Sequence, residues 1–186
     1  MPKKTNKKQV DNDAKIKRMV IIAFAVTLTV LGCIKLLSQK TFTSEGGFFK
    51  ITTPSKYEFQ NLDKVEGNVM AMVDPNEYFY IFAMAFGQTS LNDFTGFVEK
   101  EYDYFINKGT GLSDTSQIEH IKVRGYEAAY FYYTYIDDNG DRFYVERYII
   151  NCKNGNYVVV FEAPKETSEN YKADIKKIIK TFREVK

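Results

Sequence analysis

His120 and Cys152 are the side chains in the body of this 186-residue sequence with ready acid–base or nucleophilic chemistry. A Ser–His or Cys–His pair would have to use His120, the only histidine, which follows Glu119 in a stretch with strand character. Cys152 reads equally well as a small buried residue. A zinc site needs more Cys and His than this region owns. The run Asp137-Asp138-Asn139-Gly140-Asp141 sets oxygen ligands at alternate positions, like the start of a calcium loop. An EF-hand requires a glutamate at the twelfth place and helices on both sides, yet that place is Tyr148 and both flanks alternate like strands. The run is read instead as a hairpin turn. Gly-x-Ser-x-Gly, His-Glu-x-x-His, Walker and Rossmann signatures are all missing from the sequence. No catalytic residue, metal or cofactor is therefore assigned. The expectation is a non-enzymatic protein; its enzymatic alternative would need a pocket joining His120 to two carboxylates.

Binding chemistry is more conspicuous. Tyr126, Tyr130, Phe131, Tyr132, Tyr133, Tyr135, Phe143, Tyr144 and Tyr148 crowd a short span of a chain that is 16% aromatic. Strand periodicity puts Tyr130, Tyr132, Tyr144 and Tyr148 on one face of a hairpin. That face is either covered core or an exposed aromatic platform for protein contact or sugar stacking. These four tyrosines are the candidate binding surface.

The elements that would carry them follow from pattern. Tyr126–Ile136, Arg142–Cys152 and Tyr157–Ala163 are long alternating or apolar stretches joined by Asn-Gly turns, a β-meander. Upstream, Phe48–Thr53 reads as a strand ended by Pro54, Tyr57–Gln60 as a short strand, and Asn68–Val73 with Tyr78–Phe86 as a hairpin. Gln117–Val123 is a further strand. Ser90 is a candidate cap for a helix whose apolar positions Leu91, Phe94, Val98, Tyr102 and Phe105 step by three or four, with Gly109 and Gly111 as its stop. Thr167 or Ser168 caps a last helix with the stripe Tyr171, Ile175, Ile178, Ile179 and Phe182. The expected fold class is α+β: one antiparallel sheet of six to seven strands flanked by amphipathic helices, preceded by one N-terminal transmembrane helix.

That last element rests on charge and hydropathy. Residues 19–34 contain no charge, and taken through Leu37 the segment is long enough as a helix to cross a hydrocarbon core. Residues 1–18 carry seven Lys/Arg against two Asp, which keeps that side cytoplasmic. Residues 38–186 carry 18 Lys/Arg and 22 Asp/Glu and would lie outside the membrane, without the basic face that nucleic acid requires. Val30-Leu31-Gly32-Cys33 also resembles a lipobox, which would make Cys33 a lipidation site after cleavage. A buried core helix is the third reading. The division is then a basic tail (1–18), an anchor (19–37), a linker (38–47) and an extracytoplasmic domain (48–186).

The opening Phe48-Phe49-Lys50-Ile51-Thr52-Thr53-Pro54-Ser55-Lys56-Tyr57 resembles the entry of PsbP-like domains. Gly125-Tyr126-Glu127-Ala128, the aromatic hairpin and the closing Ile178-Ile179-Lys180-Thr181-Phe182 match the rest of that pattern over roughly residues 48–183. The resemblance implies a central antiparallel sheet flanked by helices and mostly non-enzymatic roles in binding or assembling other proteins. It transfers no functional residue. The function expected is a membrane-anchored extracytoplasmic binding or accessory domain of the bacterial cell envelope, with an envelope protein as partner. A small hydrophobic ligand or lipid-binding module is the alternative, using an apolar pocket between sheet and helices.

Overall fold

The computed structural model describes residues 21, 38–44, 46–60, 69–75, 78–86, 93–109 and 111–185. The chain divides into two units, Met1–Gln39 and Lys40–Lys186. In the first, Ile21 is helical, and the remainder of the anchor at 19–37, Cys33 included, lies outside the described residues. No helix among the described residues is long and apolar enough to cross a membrane.

The second unit is built from β1 (Gln39–Thr43), β2 (Phe49–Pro54), β3 (Glu58–Gln60), β4 (Val69–Asp74), β5 (Phe79–Phe86), α1 (Phe94–Tyr102), β6 (Leu112–Ser113), β7 (Glu119–Val123), β8 (Tyr126–Ile136), β9 (Arg142–Asn151), β10 (Asn156–Pro164), α2 (Ser168–Ile179) and β11 (Arg183–Glu184). An eight-stranded sheet runs β3-β4-β5-β10-β9-β8-β6, with β7 also paired to β8, and a separate three-stranded sheet runs β1-β2-β11. The class is α+β, with two sheets where one was expected. Part of the segment read as linker is β1, whose Thr41 hydroxyl bonds that of Thr52 on β2 at 2.8 Å. Strands such as β6 and β11 are two residues long and polar or mixed, too short to show a period.

The meander forms where the turns demand it. Asp137 Oδ1 accepts from the backbone N–H groups of Asn139 (2.9 Å) and Asp141 (2.8 Å), so its carboxylate closes the turn between β8 and β9. Gly140 in that turn has φ +88°. Between β7 and β8, Arg124 (φ +52°) and Gly125 (φ +91°) make a two-residue turn with both central residues left-handed, the geometry that matches strand twist.

Both faces of the large sheet are covered, which explains the unbroken apolar run Val158–Phe161 on β10. On one face α2 inserts Tyr171, Ile175 and Ile178, and the small sheet adds Phe49, Ile51 and the neighbouring Phe182. The Tyr171 and Phe79 rings stack at 4.1 Å. On the other face α1 buries Phe94 and Val98 against Phe131, Ile149 and Val160. The cap of α1 is Asp93, whose carboxylate accepts from Gly96 N at 2.8 Å, and not Ser90, which with Leu91 lies outside the described residues. From Asp103 to Asn107 the helix widens into a π-turn, which brings Phe105 under Arg147 of β9, 3.6 Å from its ring centre. Arg147 is buried and pairs with Glu101 at 2.7 Å, clamping the helix to the sheet. Beyond α2, the Thr181 hydroxyl accepts from Thr52 N at 2.8 Å and donates towards the Thr52 and Ile178 carbonyls, which sets the chain alongside β2.

Candidate functional site

The register of β8 on β9 pairs Tyr130 with Tyr148, Tyr132 with Glu146 and Thr134 with Tyr144, and directly paired residues point to the same side. The four tyrosines therefore converge, on the face that α2 covers only in part. A cleft of about 870 Å³ opens there. The β8–β9 ribbon forms its floor, Lys165 follows β10, Asp114 follows β6, and Glu169, Lys172 and Lys176 line it from α2. Tyr144 and Tyr148 are each 7% exposed, while Tyr130 and Tyr132 are half-buried walls. Two of the four tyrosines are thus covered core and two are partly exposed. Neighbouring rings are tilted rather than flat: Tyr130 and Tyr148 lie 4.9 Å apart at 40°, and Tyr132 and Tyr144 5.6 Å apart at 39°.

Glu146 sits in the floor at 5% exposure. Tyr148 donates to its Oε2 at 2.7 Å and Tyr144 to its Oε1 at 3.1 Å. Burial, and then the Glu146 charge, push both phenols well above the ordinary tyrosine range, so they stay protonated and keep donating. The same causes raise Tyr130 to about 12. At the rim, Lys165 pairs with Asp114 at 3.4 Å and Lys172 with Glu169. The Lys165 and Lys172 ammonium groups lie 5.2 Å and 5.9 Å from the Tyr144 ring centre.

Glu146 was missed by sequence reasoning, although the signal was present: an acid at mid-strand between two tyrosines already placed on one face. The α2 and post-β10 lysines could be placed only by the fold. His120 does not join the cleft. It is exposed on β7 opposite Ala129, whose side chain belongs to the α1 face. Cys152 is buried in the core beneath α2, and burial followed by the Glu184 charge pushes its thiol up to about 12, away from nucleophilic chemistry. Among the described residues no group of three or more His, Cys, Asp or Glu gathers to hold a metal.

Several solved structures share this architecture. A crystal structure from Bacteroides thetaiotaomicron matches with a TM-score of 0.60 at 18% identity, over 80% of this chain and 49% of the other, so this chain spans about half that protein's length. LpqN of Mycobacterium tuberculosis, described as involved in cell envelope biogenesis, matches at 0.56 and 12% identity, over 80% of this chain and 91% of LpqN. The PsbP protein of Synechocystis, CyanoP, matches at 0.53 and 10% identity, over 79% and 92%. The fold is thus PsbP-like, as the sequence resemblance implied. No curated protein matches the sequence. The chain belongs to the family of serine/threonine kinase C-terminal domains, whose model matches residues 56–184. The sequence resemblance therefore holds for the fold, and the family is this one.

Proposed function

We propose that this protein is a membrane-tethered, non-enzymatic binding or accessory domain of the extracytoplasmic side, with the tyrosine cleft as its binding surface. The observation that carries the reading is the convergence of four tyrosines and a buried carboxylate on one open cleft. The charge-free segment at 19–34 behind a basic tail supports the tether and the outward topology. LpqN's role in envelope biogenesis supports an envelope setting. A family of domains carried at the C-terminus of kinases supports recognition rather than chemistry, since the match covers this domain and not a phosphoryl-transfer site. Tethering raises the effective concentration of such a domain near a membrane-associated partner.

The cleft favours a polar ligand over a lipid tail. An acyl chain in it would leave the Glu146 carboxylate desolvated against hydrocarbon. The test is in-cell crosslinking of the full-length protein, with wild type compared against Tyr130→Ala/Tyr132→Ala. A reproducible envelope partner lost in the double variant is the expected outcome. Crosslinks that ignore those two rings would overturn the cleft as the binding surface.

A further inference from the structure

We infer that the cleft is a receptor for a zwitterion, an ammonium headgroup caged by the tyrosines over Glu146 with its anionic group held by Lys176. The inference rests on the reading of the cleft as the binding surface, and three features of the site lead to it.

The first is the bookkeeping of buried charge on β9. Glu146 and Arg147 are adjacent and each 5% exposed, and they point to opposite faces of the strand. Arg147 has an internal counter-charge in Glu101. Among the described residues Glu146 makes no salt bridge; its partners are two neutral phenols, which supply dipoles but no charge. A desolvated carboxylate at the floor of an open cleft is completed by a cation from outside. The second feature is the wall. Four tyrosines, tilted against one another, line a concave space, and grouped aromatic rings of this kind hold ammonium and quaternary ammonium groups. The chain's own Lys165 and Lys172 reach the Tyr144 ring but are paired with Asp114 and Glu169 and form no salt bridge with Glu146, which leaves Tyr130, Tyr132 and the Glu146 carboxylate for a cation from outside.

The third feature is the rim. Lys165, Lys172 and Lys176 line the cleft, and Lys176 is exposed with no carboxylate in salt-bridge reach among the described residues. With Lys165 and Lys172 paired to Asp114 and Glu169, Lys176 leaves one unmatched positive charge that would repel a simple cation, and a simple anion would meet Glu146 at the floor. A ligand with one charge of each sign satisfies both ends. Phosphorylated amino alcohols have this chemistry, free in solution or as a lipid headgroup.

The test is calorimetric titration of the full-length protein in maltoside micelles with phosphorylcholine, choline and inorganic phosphate. Phosphorylcholine should bind more tightly than choline, and inorganic phosphate should give no signal. Glu146→Gln should weaken phosphorylcholine by about thirtyfold, the cost of deleting one side of a buried charge pair. Because that change could loosen the hairpin, Tyr132→Ala is the second variant: it removes a wall but leaves the Glu146–Tyr144–Tyr148 hydrogen bonds, and it should weaken binding too. Lys176→Ala should cost phosphorylcholine about threefold and leave choline unchanged. Phosphatidylcholine vesicles assign the source. Vesicle binding displaced by free phosphorylcholine indicates a lipid headgroup, and free ligand binding without vesicle binding indicates a soluble one. Phosphate binding as tightly as phosphorylcholine, or wild-type affinity in both Glu146→Gln and Tyr132→Ala, would overturn the proposal. So would silence from all three probes. If crosslinks still depend on Tyr130 and Tyr132 in that case, the binding surface survives and only its ligand class is wrong.

Discussion

Tyr148 donates to Glu146 at 2.7 Å and Tyr144 at 3.1 Å, so ionising either phenol would place a second negative charge beside a buried carboxylate. The consequence is a pH dependence of stability with a definite sign. Below the ordinary tyrosine pKa of 10.0 folded and unfolded chains hold the same phenolic protons, and the stabilisation is fully present. Above it the unfolded chain sheds protons that the folded chain keeps, so stability falls as pH rises through the folded value, about 12 for Tyr130. Denaturant midpoints measured across that window should decline steadily, and Tyr130→Phe should make the decline shallower while Tyr144 and Tyr148 sustain the rest; a level profile in wild type would contradict the buried network. The tyrosines of this site were legible because a strand's period of two sorts alternate residues without reference to the rest of the fold. Glu146 carried the same period but reads as an ordinary solvated acid until burial is known. Lys172 and Lys176 are far in sequence from the hairpin, and only the packing of α2 brings them to it.

At the scale of elements, β9 is the strand on which the two faces of the sheet are charged differently. Its Arg147 fixes α1 and the π-turn through Glu101 and Phe105. Arg147→Met keeps the length of the side chain but strands Glu101, whose side chain is 19% exposed. The expected cost is about 2 kcal/mol, below that of a fully buried broken pair because Glu101 can reach water. Hydrogen exchange should speed up in α1 while β8 and β10 remain protected; unchanged protection of α1 would show that the clamp contributes nothing. Long elements were readable in the same way as the tyrosines: β8 was expected at Tyr126–Ile136 and occupies those residues. The polar strand β1 looked like linker because its pairing is set by β2 and not by any period of its own.

At the scale of the whole molecule, the three-stranded sheet closes the domain over the α2 face. Phe182, fully buried, lies 5.9 Å from Phe49 and 5.3 Å from Tyr157, joining the last turn to β2 and to the large sheet. Phe182→Ala should cost about 3–5 kcal/mol of unfolding free energy, read by chemical denaturation. A loss under about 1 kcal/mol would mean that the small sheet is dispensable to the core. That sheet has one more implication. Its centre, β2, is flanked on one side by the domain's first strand and on the other by its last; Thr41 lies across from Thr52 and Glu184 across from Phe49, so the polypeptide enters beside one end of β2 and leaves beside the other. In topological terms the domain is nearly a ring with its clasp at β2. A circular permutant, with β11 joined to β1 through a flexible link long enough to run the length of β2 and cross it, and the chain opened at the Asn139–Gly140 turn, should assemble the same two sheets and the same cleft.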